Sequence, residues 1–191
     1  MYHKHHTRGI VVSSKTEGSD SRRVNILTEH FGLINAKVQG SRNISSRLRG
    51  SSQDFSLGEF SLVHGKSGWK IVSARLDKNL FELFRNHSSK LKIVSNILNL
   101  IKKLIAEETH SPLFSIISNF FNFLITAREE DIALAECLTL VRILHVLGYM
   151  RYDPEFTIPV SSSEIKIKDL KTIAPKRSKI VFLINESLKA T

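Results

Sequence analysis

Three arginines occupy a short segment rich in Ser, Asn and Gly at residues 39–50, QGSRNISSRLRG. These arginines are Arg42, Arg47 and Arg49. The nearest carboxylates in the sequence are Glu29 and Asp54, so the segment itself supplies no ion-pair partner. Guanidinium groups in such a setting form charge-assisted hydrogen bonds with phosphates and release counterions from a nucleic acid. The segment therefore predicts a phosphate-binding loop.

Neighbouring segments extend this candidate set with further long cations and one large aromatic side chain. The predicted DNA contacts outside the loop are Arg22, Arg23, Lys37, Lys66, Lys70 and Trp69. Trp69 has two interpretations, because it is either a ring on which bases stack or a core side chain of a closing strand.

The positive charge of the chain is concentrated in its first part. Residues 1–80 contain 13 Lys or Arg and 6 Asp or Glu, a balance of +7 out of a total of +10. Residues 81–150 are balanced, and residues 151–191 have a balance of +3. This asymmetry predicts a face that binds a polyanion, either nucleic acid or an acidic partner, while the alternative is that the charge only keeps the protein soluble.

The histidines, acids and single cysteine do not form a recognisable catalytic or metal-binding pattern. His3 and His5 share a face of a predicted strand, but no nearby carboxylate or thiol completes a zinc site. The acids at 129–131 precede an apolar helix, where they favour the positive end of the helix dipole. Cys137 is the only cysteine, which excludes an internal disulfide and a multi-cysteine zinc site. Common nucleotide-binding, hydrolase and zinc-protease motifs are absent. We predict no enzyme, no cofactor and no metal.

Short β-like runs separated by turn signals fill the first 80 residues. In LINAKVQG, strict alternation places Ile34, Ala36 and Val38 on one face of a half-buried strand. The apolar phase changes near Gly58, as expected at a bulge, and GKSG at 65–68 is typical of a hairpin turn. About five strands with little helix predict a small closed barrel or a sandwich.

The apolar period becomes helical after Asn79. A stripe at helical spacing consists of Leu91, Val94, Ile97, Leu98, Ile101, Leu104 and Ile105. Ser111 and Pro112 form a start signal for a second helix, and Gly148 is a natural end for a third. A short terminal helix with Pro175 near its start completes the prediction. We therefore expect an α+β chain, with a barrel in residues 1–80 and a helical domain in residues 81–191.

The order of these motifs resembles the RecO family of bacterial recombination mediators and DNA repair proteins. The shared pattern is a GIV strand, a turn with Gly18 and Asp20, LT followed by a GLI strand, a Gly-plus-basic loop with SR, and an FSL strand. The segments LTLVRILHVLGYMRYDPEF and KIVFLINESLKAT are similar to late helices of the family.

This resemblance implies a five-stranded OB-type β-barrel followed by an all-helical domain. It also implies binding of single- and double-stranded DNA, annealing of complementary strands, and help in loading RecA onto DNA covered by single-stranded-DNA-binding protein, together with a RecR-like protein. The chain departs from the family pattern in three ways. It lacks the four-cysteine zinc module after LGY, it has Gln39 where Lys often stands, and it is short in the helical part.

Two other functions remain open from the sequence. A protein-interaction adaptor would use Lys92, Lys102 and Lys103, beside the apolar stripe, to hold an acidic peptide such as the C-terminal tail of single-stranded-DNA-binding protein. A nuclease is disfavoured, because the basic region has no clustered carboxylates for Mg²⁺. No apolar run reaches the roughly 18 residues of a membrane span, so we expect no membrane partner and a cytoplasmic, nucleoid-associated protein.

Overall fold

The computed structural model describes residues 3–17, 21–39, 47–105, 111–150, 160 and 162–189. The chain divides into two compact units, Met1–Thr109 and His110–Thr191. The first unit extends past the predicted boundary at residue 80, because the helices that directly follow the last strand group with the barrel. Whether residues 1–80 form a domain on their own stays a prediction.

The first unit is built on a closed barrel of five strands, in the order β1-β2-β3-β5-β4. The strands are β1 (Lys4–Glu17), β2 (Ser21–Thr28), β3 (Gly32–Gln39), β4 (Ser56–Gly65) and β5 (Gly68–Asn79). Five strands closed in this order form an OB-type barrel. The predicted fold class, an α+β chain with an N-terminal OB-type barrel followed by helices, is confirmed.

The barrel closes because β1 is long and irregular enough to pair with two different strands. Its first half pairs with β4, its second half pairs with β2, and its register shifts between Val11 and Ser13. The final seam is a short parallel pairing in which residues 36–38 of β3 oppose residues 69–71 of β5.

Inward-facing side chains of every strand fill the barrel. The buried cluster consists of Val11, Val24, Ile26, Ile34, Ala36, Val38, Phe60, Leu62 and Ile71. The predicted alternation in β3 is confirmed, since its three apolar residues are buried while Asn35 and Gln39 are exposed. Removal of this apolar surface from water is the main stabilising contribution to the unit.

The predicted bulge and hairpin turn are both present. The register between β4 and β5 shifts between Leu57 and Gly58. Gly58 packs so closely against β5 that a Cβ there would collide with the carbonyl oxygen of Arg75. The turn joins Gly65 to Gly68, whose φ of +89° is in the left-handed region that favours glycine.

Part of the predicted arginine loop is helical. Residues Arg47–Ser51 form the short helix α1, which packs against β5. Two further helices follow the barrel within the first unit, α2 (Leu80–Phe84) and α3 (Ser88–Leu104). The side chain of Asn79 caps α2 by accepting hydrogen bonds from the backbone N–H groups of Phe81 and Glu82.

The predicted apolar stripe of α3 faces inward. Its buried members are Val94, Ile97, Leu98, Ile101 and, just past the helix end, Ile105. Leu91 and Leu104 are half-buried. The helical region predicted after Asn79 is present as two helices, which are separated by a turn at residues 85–87.

The second unit contains α4 (Ser111–Thr126), α5 (Glu129–Val146), α6 (Ile167–Ile173), a 3₁₀ turn (Ala174–Lys176) and α7 (Arg177–Lys189). Both predicted ends of α5 are confirmed. Its first turn contains Glu129, Glu130 and Asp131. Past its end, Gly148 adopts a φ of +77° and the Tyr149 N–H donates to the Leu144 carbonyl at 2.8 Å. Helix α6 was not predicted.

An arginine lies in the interior of the second unit. Arg142 of α5 is fully buried, and its Nη1 donates to the backbone carbonyl of Glu164 at 2.9 Å. Burial lowers the pKa of Arg142, and the charge of Asp169 opposes that shift. The guanidinium group thereby ties the chain before α6 to α5.

We predict that Gly58→Ala destabilises the first unit by about 1–3 kcal/mol, because the added methyl group must displace the β5 backbone. Urea unfolding followed by tryptophan fluorescence measures this change. The matched control is Gly50→Ala, whose new Cβ would have Leu76 Cδ2 as its nearest neighbour at 4.0 Å. Equal unfolding midpoints for the two variants would show that Gly58 is not closely packed against the β5 backbone.

We predict that Arg142→Ala lowers the free energy of unfolding by about 2–5 kcal/mol, since it leaves a cavity and a carbonyl without its donor. Thermal unfolding followed by circular dichroism checks this. Arg128→Ala is the control, because the Arg128 side chain is 82% exposed and its loss should cost less than about 0.5 kcal/mol. Equal losses in the two variants would contradict a structural role for Arg142.

Candidate nucleic-acid interface

A chain of polar side chains crosses the outer face of β1, β2 and β3. The Asn25 amide donates to Ser13 Oγ at 2.9 Å, and the Asn35 amide donates to Asn25 Oδ1 at 2.7 Å. Arg23 Nη1 then donates to Asn35 Oδ1 at 3.1 Å. The strand register places these residues side by side, so the outer face is a continuous polar surface.

Glu17, the last residue of β1, is an acid on this surface. Its carboxylate accepts a hydrogen bond from Arg23 Nη2 at 3.0 Å and lies 3.8 Å from Lys37 Nζ. The hydrogen bond from Arg23 is the largest cause of a lowered pKa for Glu17. All three side chains are more than 40% exposed, so the ion pairs are weak and a competing anion can replace the carboxylate.

Arg22 and Arg23, both predicted DNA contacts, lie on opposite faces of β2. Arg23 belongs to the outer polar surface, whereas the half-buried Arg22 donates from Nη1 to the backbone carbonyl of Ser52 at 3.3 Å. Arg22 thus links β2 to the residue after α1. A DNA contact by Arg22 stays a prediction.

The three loop arginines are described to different extents. Arg42 lies outside the described residues, and for Arg47 the structure gives the backbone position, at the start of α1. Arg49 is exposed and forms no ion pair within the described part of the chain. The role of the three arginines as DNA contacts stays a prediction.

The turn between β4 and β5 carries two exposed lysines. Lys66 lies in the turn, and Lys70 is next to Lys37 in the register of the parallel seam. Within the described ranges neither Lys66 nor Lys70 makes an ion pair. Both are available to an anionic ligand.

Trp69 combines the two interpretations that the sequence left open. It is half-buried and packs against the end of the barrel core. The same side chain lines an open groove of about 470 Å³ together with Phe31 and His64. The structure thus places the tryptophan where core and surface meet.

Helix α3 brings one of the predicted peptide-binding lysines to the barrel. Lys102 lines a groove of about 570 Å³ whose other walls are residues 13–17 of β1 together with Arg23, Asn25 and Asn35. Lys92 and Lys103 are exposed on the same helix, and Lys92 lies about 15 Å from Lys102 along the helix axis. Lys102 of α3 therefore lies beside the polar outer face of the barrel.

Sequence reasoning missed several members of this surface. Lys15, Glu17, Asn25 and Asn35 all lie on the outer face, and Lys15 is next to Arg23 in the register. Strand alternation signalled the outward position of Asn35. The register between β1 and β2 brings Glu17 and Lys15 close to Arg23. No short sequence pattern specifies that register.

The part of the chain that the structure describes offers neither a metal cluster nor a membrane span. Within the described residues, no group of three or more His, Cys, Asp or Glu side chains is arranged to hold a metal ion. None of their helices has both the length and the apolar character of a membrane span.

The barrel is similar to a domain of a known protein family. The family model described as the N terminus of recombination protein O matches residues 1–76. Residues 1–76 are therefore similar to the N-terminal domain of the RecO family. The family resemblance predicted from the sequence is confirmed.

Curated relatives named DNA repair protein RecO match over most of the chain. The RecO protein of Alkaliphilus metalliredigens is 26% identical over 159 residues, which cover 83% of this chain and 63% of the relative. That of Acetivibrio thermocellus is 24% identical over 145 residues, covering 75% and 57%. That of Gloeothece citriformis is 41% identical over 66 residues, covering 35% and 23%. The chain therefore spans about three fifths of the length of the first two RecO relatives.

We predict that Glu17→Gln increases DNA affinity several-fold at low salt, because it removes the competitor of phosphate at Arg23 and Lys37. Fluorescence anisotropy of a labelled oligonucleotide measures the change. The control is Glu59→Gln, which changes the net charge equally but disrupts the pair with Arg75 at 2.8 Å. Equal gains in both variants would show that net charge, and not the outer face, sets the affinity.

Proposed function

We propose that this RecO-family chain is a DNA-binding recombination mediator. It binds single- and double-stranded DNA, anneals complementary strands and assists RecA loading in recombinational repair. One observation carries the proposal: an OB-type barrel of the RecO family holds Lys15, Arg23, Lys37 and, from α3, Lys102 around the grooved outer surface. The name of the curated relatives, DNA repair protein RecO, supports the same role.

Binding proceeds by exchange of one anion for another. A phosphate approaching the outer face replaces the Glu17 carboxylate at Arg23, and the exposed ion pair offers little resistance. Lys15 of β1 and Lys102 of α3 line the same groove and contact neighbouring phosphates. Each contact releases counterions, so the affinity decreases steeply with salt.

Annealing requires charge neutralisation and no catalytic group. Two complementary strands repel each other through their phosphates, and a basic surface that holds both reduces this repulsion. Contacts limited to the backbone leave the base edges available for pairing. Exposed lysines and arginines on several elements of the first unit supply such contacts.

Partners of the proposed mediator are a RecR-like protein and single-stranded-DNA-binding protein. The expected ligand from the latter is its acidic C-terminal tail. Lys92 and Lys103 on α3 are exposed and remain candidates for that contact. Nucleoid association follows from DNA binding and belongs to the same proposal.

A protein-interaction adaptor is the second candidate, and the two exposed lysines in the last turn of α3 favour it. The position of Lys102 separates the two functions, because this lysine lines the barrel groove. A variant with Lys102→Glu and Lys103→Glu should lose oligonucleotide affinity if the groove binds DNA. Loss of affinity for an acidic peptide alone would favour the adaptor.

We predict that replacing Arg42, Arg47 and Arg49 together by Ala decreases the salt slope of DNA binding by about one unit for each lost phosphate contact. The measurement is fluorescence anisotropy of labelled single- and double-stranded oligonucleotides across a salt series. Absence of salt-sensitive binding by the unmodified protein would overturn the proposed function.

The control for this series is a second triple variant with the same change in charge. Arg75, Arg85 and Arg128 are exposed and pair with carboxylates of Glu59, Glu82 and Glu130 at 2.8, 3.7 and 3.5 Å. Replacing these three by Ala should leave the salt slope nearly unchanged. A slope that is unchanged in the loop variant as well would place the arginine loop away from DNA.

A further inference from the structure

Four rings close one end of the barrel. Trp69 is at the centre, with ring centroids of His64 at 4.8 Å, Phe31 at 5.0 Å and His5 at 5.7 Å. The rings of His64 and His5 meet the indole near edge-on, at 64° and 71°. Such packing holds the indole in a fixed orientation.

One side of this cluster is open. Phe31, His64 and Trp69 line the groove of about 470 Å³, a volume in the usual range for small-molecule sites, about 300–1,000 Å³. Gly68 also lines it, and no atom lies within 4 Å of the position that a Cβ would take there. A flat ligand can therefore approach the rings along the glycine backbone.

The polar groups beside the rings indicate which ligand fits. Arg23, Asn35 and Ser67 line the same groove and offer both hydrogen-bond donors and acceptors. No carboxylate is among the described residues that line it, so the groove lacks the partner that a cationic ligand would need. A site made of aromatic rings, an amide and a guanidinium group suits a ligand in which an uncharged aromatic ring is joined to an anionic group.

The aromatic groove adjoins the basic groove described above. Arg23 and Asn35 line both of them. A DNA strand whose phosphates contact Lys102 and Arg23 in the basic groove can therefore place a neighbouring base beside Trp69.

We propose that Trp69, His64 and Phe31 form a binding site for an unpaired nucleobase and that this site gives the barrel a preference for single-stranded DNA. The inference rests on the proposed function, because the phosphates must first dock in the basic groove. Bases within a duplex are stacked and paired, so they do not reach the rings. Stacking of one base on an aromatic side chain strengthens binding by about tenfold.

Trp69 is the only tryptophan in the chain, so its fluorescence reports on this site alone. The experiment titrates the full chain with three probes of equal length: oligothymidylate, an abasic oligonucleotide and a duplex. Anisotropy of the same probes, labelled, gives the affinities in parallel. We expect oligothymidylate to quench the fluorescence and to bind about tenfold more tightly than the abasic strand, which should bind without quenching.

Two variants test the residues while preserving the fold. His64 is exposed, so His64→Ala should fold, weaken the binding of oligothymidylate several-fold and leave duplex binding unchanged. The control is His87→Ala, an exposed histidine directly before α3, and it should change neither affinity. Trp69→Phe keeps a ring on the core and should bind at an intermediate strength.

The outcomes separate this inference from the proposed function. Equal affinities for oligothymidylate and the abasic strand, with no quenching but normal salt dependence, would overturn the base site and leave the proposed function intact. Absence of binding to all three probes at low salt would overturn both.

Discussion

Closure of the barrel is the constraint on which the first unit depends. The seam between β3 and β5 consists of only three residue pairs, 36–38 with 69–71. It forms because β1 changes partners along its length and because Gly58 lets β5 lie directly against β4. Once the seam is closed, the inner side chains form one core and the outer side chains of β1, β2 and β3 share one face. The seam also fixes Trp69 beside Ala36, and so sets the position of the aromatic rings relative to the polar surface.

The charges on that face allow another anion to replace the Glu17 carboxylate. Glu17 orders Arg23 and Lys37 through exposed ion pairs, and its hydrogen bond with Arg23 is accessible enough for another anion to replace the carboxylate. Without the acid these neighbouring cations would repel one another, and the Glu17 carboxylate offsets that repulsion. The face thus combines an ordered resting arrangement with accessibility to phosphate.

Local sequence patterns predicted the parts of the structure that local physics determines. Alternation identified the buried face of β3, the phase change identified the bulge at Gly58, and Gly148 identified the end of α5. Long-range pairing determined what the patterns missed. Neither the capture of Arg23 by Glu17 nor the approach of Lys102 to the barrel follows from residues close in sequence. Arg22 was grouped with Arg23 because both are cations, although strand geometry places neighbours on opposite faces.

The short seam leaves β5 with an edge that no described strand covers beyond Ile71. Exposed strand edges are templates for pairing with other chains, and Val72 and Leu76 on this stretch are exposed. Helix α1 packs against β5, and Leu76 is the nearest side chain to its Gly50. The short helix inside the arginine segment therefore lies against part of β5, and an element packed against an exposed strand limits pairing with other chains. A substitution that unfolds this helix would uncover more of β5 and favour self-association.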